Sequence, residues 1–179
     1  MQNSTPPKAM RLFFALWPDA ATRAALAAWQ PALQQTCGGR AVHAEGLHVT
    51  LAFLGEVEAG RLEALQLAAQ EVSAAPFAVT LDRAQYWAHN HIVHAAAAQE
   101  PAALLQLAHD LQQNLLRHEF RLDARNFQTH VTLLRKAACR SALPALPPLR
   151  WQLHDFVLVR SVLDAHGSRY EVLARFPLK

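Results

Sequence analysis

Cysteine is scarce in this chain of 179 residues, which contains only Cys37 and Cys139. Two cysteines are too few for the disulfide framework that holds small secreted domains together. No Cys-x-x-Cys pair is present, which excludes a zinc ribbon. The cysteine content therefore favours a protein of the reducing cytoplasm.

Long apolar runs are also lacking, since no stretch of 18 residues is free of polar interruption. We therefore expect no membrane-spanning helix. Residues 1–10, MQNSTPPKAM, have neither the basic nor the apolar region of a secretory signal. We interpret them as a disordered leader, and we expect no export and a cytoplasmic location.

What the chain does have is ample apolar material, because 52% of its residues are hydrophobic. Residues 1–179 are predicted to form a single domain, compact or built of two small intertwined lobes. The net charge of +3 permits an anionic substrate, but charge alone suits any slightly basic protein equally well. The ten histidines point towards acid/base or metal chemistry.

The apolar pattern predicts a mixture of strands and helices. Alternating or short apolar runs indicate strands at 11–17, 47–54 (ended by a turn at Gly55), 77–81 paired with 91–96, 151–162 and 170–176. Helical spacing indicates helices at 20–35 (starting at Asp19), 58–74 and 102–118. Because strands and helices do not alternate regularly, we predict an α+β fold and not a doubly wound parallel sheet.

The tetrapeptide His-Val-Thr-Leu occurs twice, at 48–51 and at 130–133. On a strand, side chains two positions apart share a face, so His48 and Thr50 point together, as do His130 and Thr132. The intervening valine and the final leucine then point into an apolar layer. Taken singly, either tetrapeptide is ordinary half-buried strand; the repetition of the same polar pair on one face indicates a site.

These residue types suit the hydrolysis of a phosphodiester. One imidazole can take the proton of the attacking water while the other gives a proton to the leaving oxygen, near neutral pH. The hydroxyls of Thr50 and Thr132 can hold the non-bridging phosphate oxygens. A strained 2′,3′-cyclic phosphate is reactive enough for this chemistry without a metal, so we predict no cofactor.

Longer segments around the two tetrapeptides resemble a known family. They are RLFFALWPD at 11–19, GLHVTLAFLGEV at 46–57, FQTHVTLLRK at 127–136, and Ser161 with Arg169-Tyr170-x-x-Leu173 in the tail. Together they resemble the 2H phosphoesterase superfamily, defined by two H-x-[ST]-x motifs, and its bacterial RNA 2′,3′-cyclic phosphodiesterase branch, once known as 2′-5′ RNA ligase. One departure is Thr129, where the family commonly has proline.

The resemblance implies two pseudo-symmetric α+β lobes, with antiparallel sheets that face a central cleft and helices on the outside. It implies that water opens a 2′,3′-cyclic phosphate at an RNA end and leaves a 2′-phosphate. In that scheme His48 is the proton donor to O3′ and His130 is the proton acceptor from water. The expected partners are RNA with such ends or cyclic nucleotides, without an obligate protein partner, and a monomer is the simplest state.

Other residues are weaker candidates for this site. Arg135 can bind the phosphate only if a bulge or turn brings it round to the face of His130. Phe53 and Phe127 can stack on a base or merely pack, with packing favoured for Phe53, and His43 can contact RNA.

Other kinds of function are compatible with parts of the sequence. His89, His91 and His94 could hold a metal, but on a strand His94 faces away from His91 and no nearby carboxylate completes a site, so no metal site is predicted. The favoured interpretation is a histidine-rich hairpin that could line the substrate cleft. The alternatives to hydrolysis are reversible 2′-5′ ligation of RNA and a non-catalytic module that binds RNA ends or nucleotides.

Overall fold

The computed structural model describes residues 8–123 and 126–179. Most of the predicted leader, residues 1–7, therefore lies outside the described residues. The first strand, β1, spans Ala9–Leu16, and its first two residues pair with Glu58 and Val57. Residues 9 and 10 thus belong to a strand and not to a disordered leader.

The described residues form helices and strands in a mixed order. The α-helices are α1 (Ala20–Cys37), α2 (Leu62–Gln70) and α3 (Ala102–Arg117), with short 3-10 helices at Ala44–Gly46 and Ala59–Arg61. The strands after β1 are β2 (Arg40–Ala41), β3 (Val49–Glu58), β4 (Phe77–Leu81), β5 (Arg83–Trp87), β6 (Ile92–Ala96), β7 (Val131–Arg135), β8 (Leu149–Leu153), β9 (Asp155–Asp164) and β10 (Gly167–Pro177). No helix in these residues is both long and apolar enough to cross a membrane.

Two four-stranded antiparallel sheets organise the molecule. The first has the strand order β10-β9-β1-β3, and the second has the order β2-β7-β6-β5. We call the parts built on these sheets the first and second lobes. In the first His-Val-Thr-Leu segment, β3 begins directly after the histidine, and in the second segment β7 does the same. The predicted α+β fold, with one motif in each of two antiparallel sheets, is confirmed.

The predicted partners of two strands are wrong. Residues 77–81 do not pair with 91–96: β4 pairs with β8 in a small sheet of its own, and β6 pairs with β5 and β7. The segment 83–87 was not predicted as a strand, yet it forms a tight hairpin with β6 and takes the place expected for β4. The predicted strand 151–162 is also divided, because the chain bends at His154 between β8 and β9.

Gly55 does not end the first motif strand as predicted. β3 continues to Glu58, and Gly55 lies within it at φ 69, opposite Leu12 at a register shift. A bulge with a left-handed residue is a position that glycine adopts without strain. The sequence signal for a turn thus marks a bulge.

Helix α1 connects the start of the chain to the second lobe. Asp19 caps it as predicted, since the carboxylate accepts a hydrogen bond of 2.7 Å from the backbone N–H of Thr22. Inside the helix, the buried Gln30 side chain donates to the carbonyls of Val42 (2.8 Å) and Leu133 (3.0 Å). These bonds hold α1 against the last residue of the second motif.

The two cysteines, whose number had given no reason to expect a pairing, form a disulfide between Cys37 and Cys139. It joins the end of α1 to the segment that follows β7. In the same place the backbone N–H of Ala138 donates to the Cys37 carbonyl at 2.8 Å. The segment after β7 is therefore attached to the end of α1 by a disulfide and by a backbone hydrogen bond.

Gly39 is the residue of this region that tolerates a side chain least. Its φ is +80, and an added Cβ would lie 2.6 Å from the Arg135 carbonyl oxygen and 3.0 Å from Ala137 Cα. We expect Gly39→Ala to lower the free energy of unfolding by about 1–3 kcal/mol, as measured by urea denaturation. The matched control is Gly60→Ala, because nothing lies within 4 Å of its added Cβ. Equal stability of the two variants would contradict the close approach at Gly39.

Candidate active site

In the first lobe the motif strand presents its polar pair on one face. Val49 and Leu51 are buried in the core, whereas His48 and Thr50 are partly exposed. His48 Nε2 lies 3.1 Å from Thr50 Oγ1. The predicted arrangement, with His and Thr together and the aliphatic residues opposite, is confirmed for this motif.

The second lobe repeats the pattern. Val131 and Leu133 are fully buried, and His130 and Thr132 are partly exposed. The two motifs are thus alike in structure as well as in sequence, and in each lobe the His and Thr side chains face away from the core.

Each motif strand also has a β-bulge at the motif's leucine. In β3, Thr50 pairs with Ala15 and Ala52 pairs with Phe14, so Leu51 is the extra residue. In β7, Thr132 pairs with His94 and Leu134 pairs with Val93, so Leu133 is the extra residue. The two lobes therefore share an irregularity that the strand pattern alone does not reveal.

The bulge changes the face of the residues that follow. Leu133 and Leu134 are both buried, and Arg135 after them is exposed. Strict alternation would put Arg135 on the side of Leu133, but the extra residue returns it to the side of Thr132. The condition set for Arg135 is met, because the strand has the bulge that the prediction required. Its charge contributes, after burial and the charge of His130, to lowering the pKa of His48 in the other lobe.

Both motif histidines are fixed through the same ring nitrogen. His48 Nδ1–H donates to the carbonyl of Gly46 at 2.7 Å, and His130 Nδ1–H donates to the carbonyl of Gln128 at 2.9 Å. In each case the acceptor is two residues earlier in the chain. This bond places the proton of a neutral imidazole on Nδ1 and makes Nε2 the nitrogen that exchanges protons.

Aromatic rings surround His48. Its ring centroid lies 5.0 Å from that of Phe13, 5.5 Å from that of Trp17 and 5.4 Å from that of Tyr170. The Trp17 ring is nearly parallel to the imidazole, at 22°. These rings restrict the imidazole, and they were missed as site residues. Tyr170 was noted only as part of a family motif in the tail, and Phe13 and Trp17 lie in the run at 11–17, which was interpreted only as a buried strand. Its alternation, with Phe13 and Ala15 on the face of Thr50, was the available signal.

Different rings contact His130 in the second lobe. Trp87 lies 4.8 Å away, and the His94 ring lies 5.7 Å away at 82°. Neither neighbour was predicted to contact the motif: Trp87 lies on the unpredicted strand β5, and His94 was placed only on a histidine-rich hairpin that could line the cleft.

Burial lowers the pKa of His48 to about 4. The hydrogen bond to Gly46 acts in the opposite direction, and the charges of His130 and Arg135 lower the pKa further. In the free protein His48 is therefore neutral near pH 7. A neutral imidazole cannot donate a proton to a leaving group, so the predicted donor role requires that a ligand first raise this pKa.

The weaker candidates occupy different surroundings. Phe53 is partly buried, packs beside Phe13 and has the Arg11 guanidinium 4.8 Å from its ring centroid. Phe127 is partly buried against the main core. His43 is exposed at the start of the 3-10 helix that precedes the first motif. Phe53 lies nearest to the rings around His48, and the other two are not brought into these ring contacts.

The three histidines of the possible metal site are not gathered together. His91 lies before β6 at φ 58, with Nδ1 3.2 Å from the Ala137 carbonyl, while His94 is buried under Trp87. His89 is exposed beside Trp87. In the described part of the chain, no three His, Cys, Asp or Glu side chains are placed to hold a metal ion.

Comparison with known proteins assigns the chain to a family. Residues 16–94 match the family described as LigT-like phosphoesterase. An RNA 2′,3′-cyclic phosphodiesterase of Escherichia coli (strain K12) is 36% identical over 170 residues, covering 94% of this chain and 96% of that protein. The chain belongs to the LigT-like phosphoesterase family. The predicted resemblance to the 2H superfamily is thereby confirmed.

Solved structures agree with this assignment. This LigT-like phosphoesterase is similar to E. coli LigT complexed with 3′-AMP, with a TM-score of 0.87 and 34% identity over 96% of this chain and 99% of that one. A protein of Thermus thermophilus gives a TM-score of 0.77 at 30% identity, covering 94% of this chain and 98% of that one. The arrangement of the two lobes is thus that of the family.

Proposed function

We propose that this LigT-like phosphoesterase hydrolyses RNA 2′,3′-cyclic phosphate ends to 2′-phosphate ends. The observation that carries the proposal is the duplicated His-Thr pair, in which each imidazole is anchored through Nδ1 to a backbone carbonyl, so that Nε2 serves the reaction. A relative with this activity in its name, 36% identical over nearly the whole chain, supports the same reaction.

In the proposed reaction, water attacks the phosphorus in line with the O3′ oxygen. His130 Nε2 accepts a proton from the water as its oxygen bonds to phosphorus. The bond from phosphorus to O3′ breaks, and His48 Nε2–H gives its proton to O3′, which leaves a 3′-hydroxyl and a 2′-phosphate. Each positioned proton transfer contributes about 10²- to 10⁴-fold in rate.

Three further side chains are proposed to bind the phosphate. The hydroxyls of Thr50 and Thr132 donate hydrogen bonds to non-bridging oxygens, whose charge grows in the transition state. Arg135, brought to that side by the Leu133 bulge, neutralises the same charge. Phe53, Phe127 and His43 are proposed only as contacts to the nucleoside. No cofactor takes part in these steps.

The low pKa of His48 makes its protonation part of substrate binding. A cyclic phosphate monoanion beside the imidazole favours the charged form, and so raises the pKa of His48 from about 4. The ligand then binds the protonated protein more tightly than the neutral one. In this way the donor is protonated only when there is a leaving group to receive the proton.

Binding of the cyclic phosphate is accordingly expected to take up a proton. In a His130→Ala variant, which turns over slowly, 2′,3′-cyclic UMP should bind more tightly as pH falls from about 7 to 5, because the pKa of His48 is higher in the complex. Calorimetry in buffers of different ionisation enthalpy measures the uptake. The matched control, His48→Ala in the same background, should show none. Binding without proton uptake would exclude His48 as the donor.

The direct test is turnover. The purified chain, treated with EDTA, is incubated with an oligonucleotide that ends in a 2′,3′-cyclic phosphate, and the product is identified by ³¹P NMR. A 2′-phosphate is the expected product, with a bell-shaped pH dependence of kcat/KM. A 3′-phosphate product, or tight binding without turnover across the pH range, would overturn the proposal and leave a binding module.

We further propose that the protein acts as a monomer in the cytoplasm. A single chain supplies both His-Thr pairs, which supports the monomer. Light scattering at micromolar concentration tests it. Fractionation of cells into cytoplasm and envelope, with detection of the protein by a specific antibody, tests the location.

A further inference from the structure

His94 has an unusual environment for a polar side chain. It is 0% exposed, and among the described residues neither of its ring nitrogens has a hydrogen-bond partner. Most buried polar groups in proteins are hydrogen-bonded, and an unpaired one costs stability. A phenyl ring of similar shape would avoid that cost, so the imidazole calls for a functional explanation.

The position of His94 places it beside the second motif. It lies on β6, in register with Thr132 on β7 and with Gln85 on β5. Side chains directly opposite one another in a sheet share a face, so the His94 ring is on the face of the His-Thr pair. Trp87 covers it at 3.9 Å between ring centroids, and the His130 ring stands edge-on at 5.7 Å.

Burial, together with a neighbouring charge, keeps His94 neutral. Burial lowers its pKa to about 4, and the charge of His130 lowers it further. The other titratable or charged groups on this side of the packed elements include Arg83 at the start of β5, Arg135 at the end of β7 and His89 beside Trp87. Glu100 also lies close to the motif, because its carboxylate accepts from the Thr129 N–H at 2.7 Å. His94 is therefore a neutral imidazole near neutral pH.

The first lobe provides a comparison within the same molecule. There the ring on the central strand next to the motif is Phe13, 5.0 Å from His48. In the second lobe the ring that approaches the motif histidine from the adjacent strand β6 is that of His94, which lies opposite Thr132, whereas the residue opposite Thr50 in the first lobe is Ala15. The two catalytic candidates thus have neighbours of similar shape that differ in polarity.

We propose that His94 is a positioning residue which, as a neutral imidazole packed against His130, favours the protonated form of His130. The lone pair of a neutral imidazole stabilises a nearby cation, and the effect is larger away from water. The inference rests on the proposed function, in which His130 becomes protonated as the water attacks. His94 itself exchanges no proton with the substrate.

The test compares His94→Phe, which keeps a ring, with His94→Gln, which keeps a neutral acceptor. The pKa of His130, followed by NMR of its ring C–H groups, should fall by about half a unit to one unit in His94→Phe and stay near the wild-type value in His94→Gln. For His94→Phe, kcat/KM near pH 7 should fall about three- to tenfold, while the urea midpoint rises because two unpaired nitrogens are removed. His89→Phe is the matched control, since His89 is exposed and touches Trp87; it should change none of these quantities.

An unchanged pKa of His130 in His94→Phe would overturn the proposal, whether or not kcat/KM falls. An equal decrease of the pKa of His130 in His94→Gln would also overturn it. If His94→Phe does not fold, His94→Leu makes the same comparison. The titration needs no turnover, so the two proposals can fail separately. A shifted His130 in a protein that hydrolyses no cyclic phosphate would refute the proposed function and leave the role of His94 standing.

Discussion

Replacing His130 or His48 by alanine is expected to lower kcat/KM for a 2′,3′-cyclic nucleotide by about 10²- to 10⁴-fold. Each imidazole is held by a bond from Nδ1 to the backbone, so the lost group is a positioned Nε2 that no neighbouring side chain replaces by rotation. The effect should fall on kcat, because the proton transfers occur in the transition state. Initial rates with purified variants, at several pH values, measure it.

The double variant should be little worse than the poorer single variant. An acid and a base that act in one step form a unit, and removing either part disables it. His109→Ala is the matched control, because His109 is an exposed histidine of α3, and its activity should equal that of the wild-type protein. Unfolding curves of all variants show whether the folds are intact. Activity retained in the double variant would refute the two-histidine mechanism.

Much of the local structure follows from the sequence because it depends on near neighbours. The cap at Asp19, the helical spacing of α3 and the alternation around His48 are all set within a few residues. The same period of two is enough to predict that His and Thr lie together in both motifs. Chemistry that depends on one face of one strand can therefore be predicted from the sequence.

The pairing of strands could not be predicted in the same way, because it depends on distant residues. The segment 83–87, RAQYW, has weak alternation, yet it forms the hairpin with β6 that excludes β4 from the second sheet. Since β5 was missed, Trp87 was missed as a neighbour of His130. His94 was assigned to a histidine-rich hairpin but not to a contact with His130, because the sequence shows three close histidines but not which of them are buried.

The rings around the two histidines illustrate the same limit. Phe13 and Tyr170 contact His48 from strands that are far apart in sequence, and only the sheet order brings them together. The bulges at Leu51 and Leu133 are a second reason why the residues around the site could not be predicted from the sequence. An extra residue in a strand leaves the composition of the motif unchanged but reverses the face of every residue after it.

The side of β7 on which Arg135 lies depends on that reversal. Replacing Arg135 is expected to have the second large effect on activity. Arg135→Met should lower kcat/KM by about 10- to 10²-fold, because a charge-assisted hydrogen bond contributes about 1.5–3 kcal/mol. Arg135→Lys should recover part of the loss, since lysine restores the charge without the two-pronged geometry. Steady-state kinetics with 2′,3′-cyclic nucleotides provide the measurement.

The control for Arg135 is Arg150→Met, since Arg150 is an exposed arginine of β8 in the small separate sheet and should be silent. The Arg135→Met variant also reports on His48. The charge of Arg135 lowers the pKa of His48, so removing it should raise that pKa above about 4. Tighter binding of a cyclic phosphate to Arg135→Met than to the wild-type protein would show that Arg135 affects the site only through His48. Weaker binding, together with a raised pKa of His48, is the result expected if the guanidinium holds the phosphate itself.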